Sequence, residues 1–411
     1  MAEHRKGDPI AVNDRSYAWP SAPSVVICAD GLDMAYLEAA EEVNRAPFFS
    51  QARAEGRLRL AKGAMPSFTN PNNCSIITGT PPSVHGIAGN FFLDPDTNRP
   101  VMMNDPSFLR APSLLAEFSQ AGARVCVVTA KDKLRKLLGH GLDMRTAICF
   151  STEFAADVTE AEHGIGAAPI PFPIPSVYSA EVSQAVFAAG LSLLQSHKPD
   201  LLYLSTTDYI QHMFAPDEEG ALAFTEMVDG YCQAFADAGA RVVLTADHGM
   251  NAKHLSDGKP NVAYLQNTLD LIAPGSSVIL PITDPYVVHH GALGSFATVY
   301  LLPGDNADAI AAELREIPAV ELVITADEAV EVLELPRDRI GDLCVISRAN
   351  AVLGTRRADH DLTALTRPLR SHGGLHEQAV PVVSSHDLTS WPDRVRNFDA
   401  FDIVLNRLER N

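Results

Sequence analysis

Short apolar runs recur along the chain, and each ends in a polar or charged cluster. The clearest occupy residues 25–29, 125–129, 201–205 and 241–246. Between them lie stretches with helical periodicity: 34–42, 112–121, 180–196 and 220–238. The last carries Leu222, Phe224, Met227, Val228 and Tyr231 on roughly one stripe. Apolar runs alternating with amphipathic helices predict an α/β fold, with a mainly parallel central sheet flanked by helices. Residues 162–175 break the pattern with Pro169, Pro171, Pro173 and Pro175, and read as a linker or surface excursion. Residues 261–370 differ in texture. A strand at 297–302, an amphipathic helix at 306–316 and strand-bearing stretches at 321–335 and 342–354 predict a smaller inserted α+β lid domain. The core is then residues 1–260 and 371–411.

The composition is that of an ordinary globular protein, with 46% hydrophobic and 20% charged residues. The formal net charge of -19 argues against a nucleic-acid surface, which needs clustered Lys and Arg. It permits a small anionic substrate, because a few cations can invert the potential of one pocket. Six scattered cysteines without a CxxC pair read as reduced core thiols. The first residues carry no apolar signal segment, and no stretch reaches the apolar length of a membrane span. The expected location is cytoplasmic, with no membrane partner; a homodimer stays open.

Ligands of open α/β sheets bind beyond the carboxyl ends of the strands. There the sequence places Asp30, the pair Lys131 and Lys133, Asp208 with His212, and Asp247 with His248. Three carboxylates on one rim repel one another unless cations intervene, and Asp with His is a donor set that Zn²⁺ accepts. Asp208 and His212, four apart, share one face of a helix. The segment SHGGLHEQAVPVV adds His372 and His376, both open as a further ligand, with glycines that allow a tight turn. Thr69, in PSFTNPNN, sits at the start of a helix predicted from about Asn70 and Pro71, where free N–H groups and the dipole favour a negative oxygen. Thr69 is the candidate nucleophile; Ser67 and Ser75 are weaker rivals, and Asn90 is a candidate oxyanion-binding amide.

Taken in order, Asp30-Gly, PSFTNPNN, DYIQH at 208–212, ADHGM at 246–250 and HGG-x-H at 372–376 resemble the alkaline phosphatase superfamily, and within it the branch that hydrolyses phosphonoacetate. The resemblance implies two Zn²⁺ per chain, one held by Asp208, His212 and His376, the other by Asp30, Thr69, Asp247 and His248. It also implies attack of Thr69 on phosphorus, a phospho-threonine intermediate and its hydrolysis by water activated by zinc. Cleaving a C–P bond expels a carbanion that is tolerable only when its charge spreads into an adjacent carboxylate. Lys131 and Lys133, alternating along an extended chain, suit that charge. His289 and His290 take no assigned role. A phosphodiesterase or nucleotide pyrophosphatase on the same scaffold is the alternative, with Phe68, Phe91 and Phe92 as a nucleoside slot; a non-catalytic zinc- or anion-binding protein is a third reading.

Overall fold

Each predicted apolar run becomes a strand of one seven-stranded sheet. A computed structural model describes residues 7–94, 97, 99–153, 176, 179–282, 292–363 and 365–409; the proline-rich stretch 162–175, His289 and His290 lie outside the described residues. The strands used below are β1 Ser24–Cys28, β2 Leu58–Lys62, β3 Val125–Thr129, β4 Ala147–Ser151, β5 Leu201–Ser205 and β6 Arg241–Thr245. They continue as β7 Ser277–Ile279, β8 Phe296–Tyr300, β9 Val320–Thr325, β10 Leu343–Ser347 and β11 Ala379–Ser384. The helices used are α1 Met34–Glu42, α2 Thr69–Thr78, α3 Asp132–Leu138, α4 Ala180–Ser196, α5 Tyr209–Met213 and α6 Glu219–Asp237.

The main sheet runs β2-β11-β6-β1-β5-β3-β4. From β6 to β4 all neighbours are parallel, whereas β11 is antiparallel to both β6 and β2. Every residue of β1, β3, β4, β5 and β6 is buried. A sheet covered on both faces needs continuous apolar strands, and that is why these runs were conspicuous. Register then fixes the chemistry. Cys28 pairs with both Thr245 and Ser205, and Thr129 pairs with Ser205, so four strands end level. The residues that follow, Asp30, Lys131, Asp208 and Asp247, therefore emerge on one rim.

Residues of the predicted insertion form a separate antiparallel sheet, β7-β8-β10-β9, with helices at Ala307–Arg315 and Ala326–Leu333. The second helix opens on a capping box between Thr325 and Glu328. This unit rests on the stretch that follows α2: Arg339 donates to the carbonyls of Gly86 (2.5 Å) and Phe108 (2.7 Å), and Ser83 N donates to Glu334 O (2.7 Å). All six cysteines are buried. Among the described residues no helix is long and apolar enough to cross a membrane.

Candidate active site

Asp30 leaves β1 and is followed by Gly31 at φ +73, where a Cβ would lie 3.0 Å from that of Asp208. The D-G turn thus lets two acidic strand ends approach. Asp208 precedes the short helix α5, and one turn later His212 brings Nε2 to 2.9 Å from Asp208 Oδ2. After β6, His248 Nε2 lies 3.2 Å from Asp30 Oδ1 and 3.8 Å from Asp247 Oδ2. The third histidine is His372: its ring stacks on that of His248 at 3.6 Å and 5°, and its Nε2 lies 3.5 Å from Asp208 Oδ2. All six of these side chains are buried.

The expectation for His376 is corrected by this geometry. His376 points away, is 40% exposed, and pairs with Glu321 of β9 at 2.6 Å. The cause is the glycine turn. Gly373 adopts φ +117 with no room for a Cβ, which would lie 2.2 Å from Phe68. The chain doubles back there, presents His372 inward and carries the next turn, Leu375–Glu377, toward the inserted sheet.

Two groups of ligand atoms lie within 4.8 Å of one another: Asp208, His212 and His372, and Asp30, Asp208 and His248. The tautomers suit a cation. Each imidazole donates Nδ1–H to a main-chain carbonyl, His212 to Arg370 (2.8 Å), His248 to Gly249 (3.0 Å) and His372 to Ser67 (2.8 Å). A carbonyl can only accept, so each Nδ1 keeps its proton and Nε2 is the nitrogen that faces the carboxylates and would bind a cation, the arrangement metal-binding histidines adopt. Neither Asp30 oxygen receives a well-aligned hydrogen bond although both are buried. Burial and the charges of Asp208 and Asp247 push Asp30 up to about 8. His248 resists burial and is pushed up to about 10 by Asp247 and Asp30, while burial and the adjacent His248 cation hold His372 well below the usual range. For Asp208, burial is outweighed by Lys131, His212 and His372, which hold it well below the carboxylate norm. Buried carboxylates and imidazoles packed this closely are a site that divalent cations would relieve.

Thr69 is the first residue of α2 and half-buried. Its neighbours line the rim: Ser67 O receives His372, the Phe68 ring meets His372 edge-on at 5.5 Å, and the Thr69 carbonyl receives the Asn73 amide (3.0 Å). The same Asn73 Nδ2 lies 3.3 Å from Asp247 Oδ2, which ties the helix start to the acidic cluster. The rival serines are otherwise engaged. Ser67 donates to Gly374 O (2.9 Å). Ser75 is buried against His85 Nε2 (2.9 Å), but Ile87 N donates to His85 Nδ1 (3.1 Å), so Nε2 carries the proton and cannot act as a base toward Ser75.

Asn90 lies beside the same helix start. Its Oδ1 accepts Asn70 N (3.2 Å), which leaves the NH₂ as its free-ranging donor. Lys131 Nζ lies 3.4 Å from Asp208 Oδ1 with its side chain 36% exposed, at the open edge of the cluster. Burial works against its charge, but Asp208 and Asp30 raise its affinity for the proton above the usual lysine value. Lys133 does not alternate with it on a strand: β3 ends at Thr129, and the chain is helical from Asp132. Residues two apart on a helix diverge, so the two lysines do not share a face by strand geometry.

Sequence reasoning passed over the frame behind the ligands. Asn72 and Asn73 are fully buried polar residues in the first turns of α2. Arg370 donates to Gln211 O (2.8 Å) and Tyr36 OH (3.0 Å) while its own carbonyl fixes His212. Glu377 accepts Lys253 Nζ (2.8 Å), Asn251 Nδ2 (2.6 Å) and Gly374 N (2.9 Å) behind the glycine turn. The one available signal was TNPNN, whose asparagines are poor helix formers in a buried helix. Of the aromatic residues proposed for a nucleoside slot, Phe68 packs on His372 and Phe92 on Phe108 and Arg339 (5.2 and 5.7 Å), which leaves Phe91 half-buried.

The family model described as type I phosphodiesterase / nucleotide pyrophosphatase matches residues 24–377, a span that contains all six clustered side chains. The chain belongs to this family. It thereby falls in the alkaline phosphatase superfamily. A curated family relative, an uncharacterised pyrophosphatase/phosphodiesterase of Schizosaccharomyces pombe, is 24% identical over 268 residues, 61% of this chain and 48% of that one. The match thus spans about half the length of that relative. Among solved structures, phosphonoacetate hydrolase from Sinorhizobium meliloti 1021, in complex with phosphonoacetate or with phosphonoformate, is similar at 51% identity and TM-score 0.93, covering 97% of this chain and 98% of that one. Murine ectonucleotide pyrophosphatase / phosphodiesterase 5 shares the fold of the family, with TM-score 0.62 at 16% identity over 94% of this chain.

Proposed function

We propose that the protein hydrolyses the carbon–phosphorus bond of phosphonoacetate to acetate and phosphate, through a phospho-threonine formed on Thr69. What supports the reading most directly is the likeness, at 51% identity over 97% of the chain, to a phosphonoacetate hydrolase crystallised with phosphonoacetate. The donor set suits two Zn²⁺, one with Asp208, His212 and His372, the other with Asp30, Thr69, Asp247 and His248. Such cations, when bound, supply Lewis acidity to the phosphonyl oxygens and make a hydroxyl or water a better nucleophile.

The chain's own groups do the rest. Thr69 Oγ gives its proton to solvent water and forms a bond to phosphorus as the P–C bond breaks, and the electron pair passes to the methylene carbon and into the adjacent carboxylate. Lys131 stands at the open edge of the cluster, 36% exposed, where it can meet that growing charge. The carbanion takes a proton from water and leaves as acetate. Water then attacks phosphorus and releases phosphate and the Thr69 hydroxyl. The Asn90 NH₂, its oxygen held by Asn70 N, donates to a phosphonyl oxygen. Residues 261–370 act as a lid, joined to the site through Asn90 N, which donates to Pro281 O (2.8 Å).

Zinc-reconstituted protein should release phosphate from phosphonoacetate and turn over bis(4-nitrophenyl) phosphate far more slowly. No phosphate above background, or the reverse preference, overturns the assignment.

A further inference from the structure

Behind the ligands stands one buried amide that makes three hydrogen bonds, to the Thr69 segment, to Asp247 and to Tyr203. Asn73 Nδ2 donates to the Thr69 carbonyl (3.0 Å) and lies 3.3 Å from Asp247 Oδ2, while Asn73 Oδ1 accepts the Tyr203 hydroxyl (2.7 Å). Asn73 and Tyr203 are both fully buried. Tyr203 stands at the centre of β5, registered against Val26 of β1, so its hydroxyl is a fixed point of the sheet. The Thr69 carbonyl and the Asp247 carboxylate can only accept, so the amide turns its NH₂ toward them and its oxygen toward the sheet, where the Tyr203 phenol donates to it and holds it in place. The flipped amide would set an oxygen against the Asp247 carboxylate.

Asp247 is oriented by the same logic. Its Oδ1 accepts Gly31 N (3.2 Å) and His248 N (3.0 Å), and its Oδ2 meets the Asn73 NH₂. A neutral donor steers the carboxylate without neutralising it, which leaves its charge for a cation. Through one NH₂ group the first turn of α2, which carries Thr69, is registered to an acidic ligand of the cluster.

We propose that Asn73, oriented by Tyr203, is a positioning residue that couples the placement of the Thr69 segment to cation binding at Asp30, Asp247 and His248. The kinetic part rests on the reading of Thr69 as nucleophile; the cation part does not.

The test uses full-length Asn73→Ala, Tyr203→Phe and the double variant. Zinc per chain is measured after dialysis against graded chelator, without substrate, and kcat and KM are measured with phosphonoacetate. Loss of such an outer-shell partner lowers metal affinity by about 10- to 100-fold. That shift is expected for Asn73→Ala, with kcat falling and KM nearly unchanged. Tyr203→Phe should move both quantities the same way but less, and the double variant should match Asn73→Ala alone, because Tyr203 acts through the amide. Wild-type zinc retention and kcat in both single variants, or strictly additive effects in the double, overturn the proposal. Should Asn73→Ala fail to fold, Tyr203→Phe, which loses one oxygen, decides alone. If wild-type protein binds zinc but does not cleave phosphonoacetate, the substrate assignment has failed and the zinc measurements still judge Asn73.

Discussion

Separate His372→Ala and His376→Ala substitutions distinguish two histidines four residues apart. His372 is 2% exposed, stacks on His248 at 3.6 Å, and has its Nδ1 fixed by Ser67 O at 2.8 Å. Its removal deletes one of three donors in the group with Asp208 and His212. Losing only an outer-shell partner weakens metal binding by about 10- to 100-fold, so losing the donor itself should reach at least ~100-fold. At 1.36 kcal/mol per factor of ten, that is ~2.7 kcal/mol. His376 is 40% exposed and its partner Glu321 is 31% exposed. Exposed pairs of this kind contribute about 0–1 kcal/mol to stability, and this one touches no other member of the cluster. His376→Ala should therefore leave metal content intact and shift the unfolding midpoint slightly. The assay is elemental analysis of each variant after dialysis against graded chelator, with circular dichroism as the fold control. Metal lost from His376→Ala and retained by His372→Ala would refute the ligand assignment.

Thr69→Ala should lower kcat on phosphonoacetate by at least ~10³, as deletion of a nucleophile does, while Thr69→Ser keeps measurable turnover; phosphate release at saturating substrate checks both. Lys131→Ala should lower kcat/KM on phosphonoacetate by ~10² but that on 4-nitrophenyl phosphate by much less, because an aryl oxide needs no help in leaving; equal losses would contradict the leaving-group role. His85, pushed down to about 3 by burial, stays neutral in the fold while the unfolded chain takes a proton below its ordinary 6.5. The unfolded state then binds more protons, so this contribution is present above 6.5 and is lost as pH falls toward 3. At 1.36 kcal/mol per unit the loss between pH 6.5 and 5 is about 2 kcal/mol. Urea unfolding of wild type and His85→Asn should show the wild type losing that much more over this interval; parallel curves would rule it out.

The central strands were legible because burial on both faces demands apolar residues throughout, as in Val125–Thr129 and Leu201–Ser205. The two strands beyond β6 were not. Strand β2, LRLAK, is mostly exposed, at Arg59, Leu60 and Lys62, and β11 contains Pro381, a residue that ordinarily marks an edge. It is tolerated because the ladder with β6 begins only at Val382. Asp30, Asp208, His212, Asp247 and His248 converge on the rim as expected, since each follows a strand whose length and level the pattern determined. The choice between His372 and His376 depended on where the chain reverses, which is set at Gly373 by a positive φ that a sequence does not display. Lys133 was misplaced by two residues of strand. The asparagine frame was invisible because its meaning lies in partners far along the chain, Asn73 with Tyr203 and Asn72 with Asn397.

Strand β11 has a bearing on biosynthesis. It follows the loop of His372 and slots between β6 and β2, in the interior of the sheet and late in the chain. During translation the aspartates at 30, 208 and 247 reach the ribosome exit long before this strand does, and until it inserts they lack their third imidazole. Capture of a cation by this cluster would thereby be a late event, contingent on completion of the sheet. A nascent chain stalled before residue 384 would present a carboxylate-rich rim with an incomplete cluster, and its amino-terminal part alone would not complete the site.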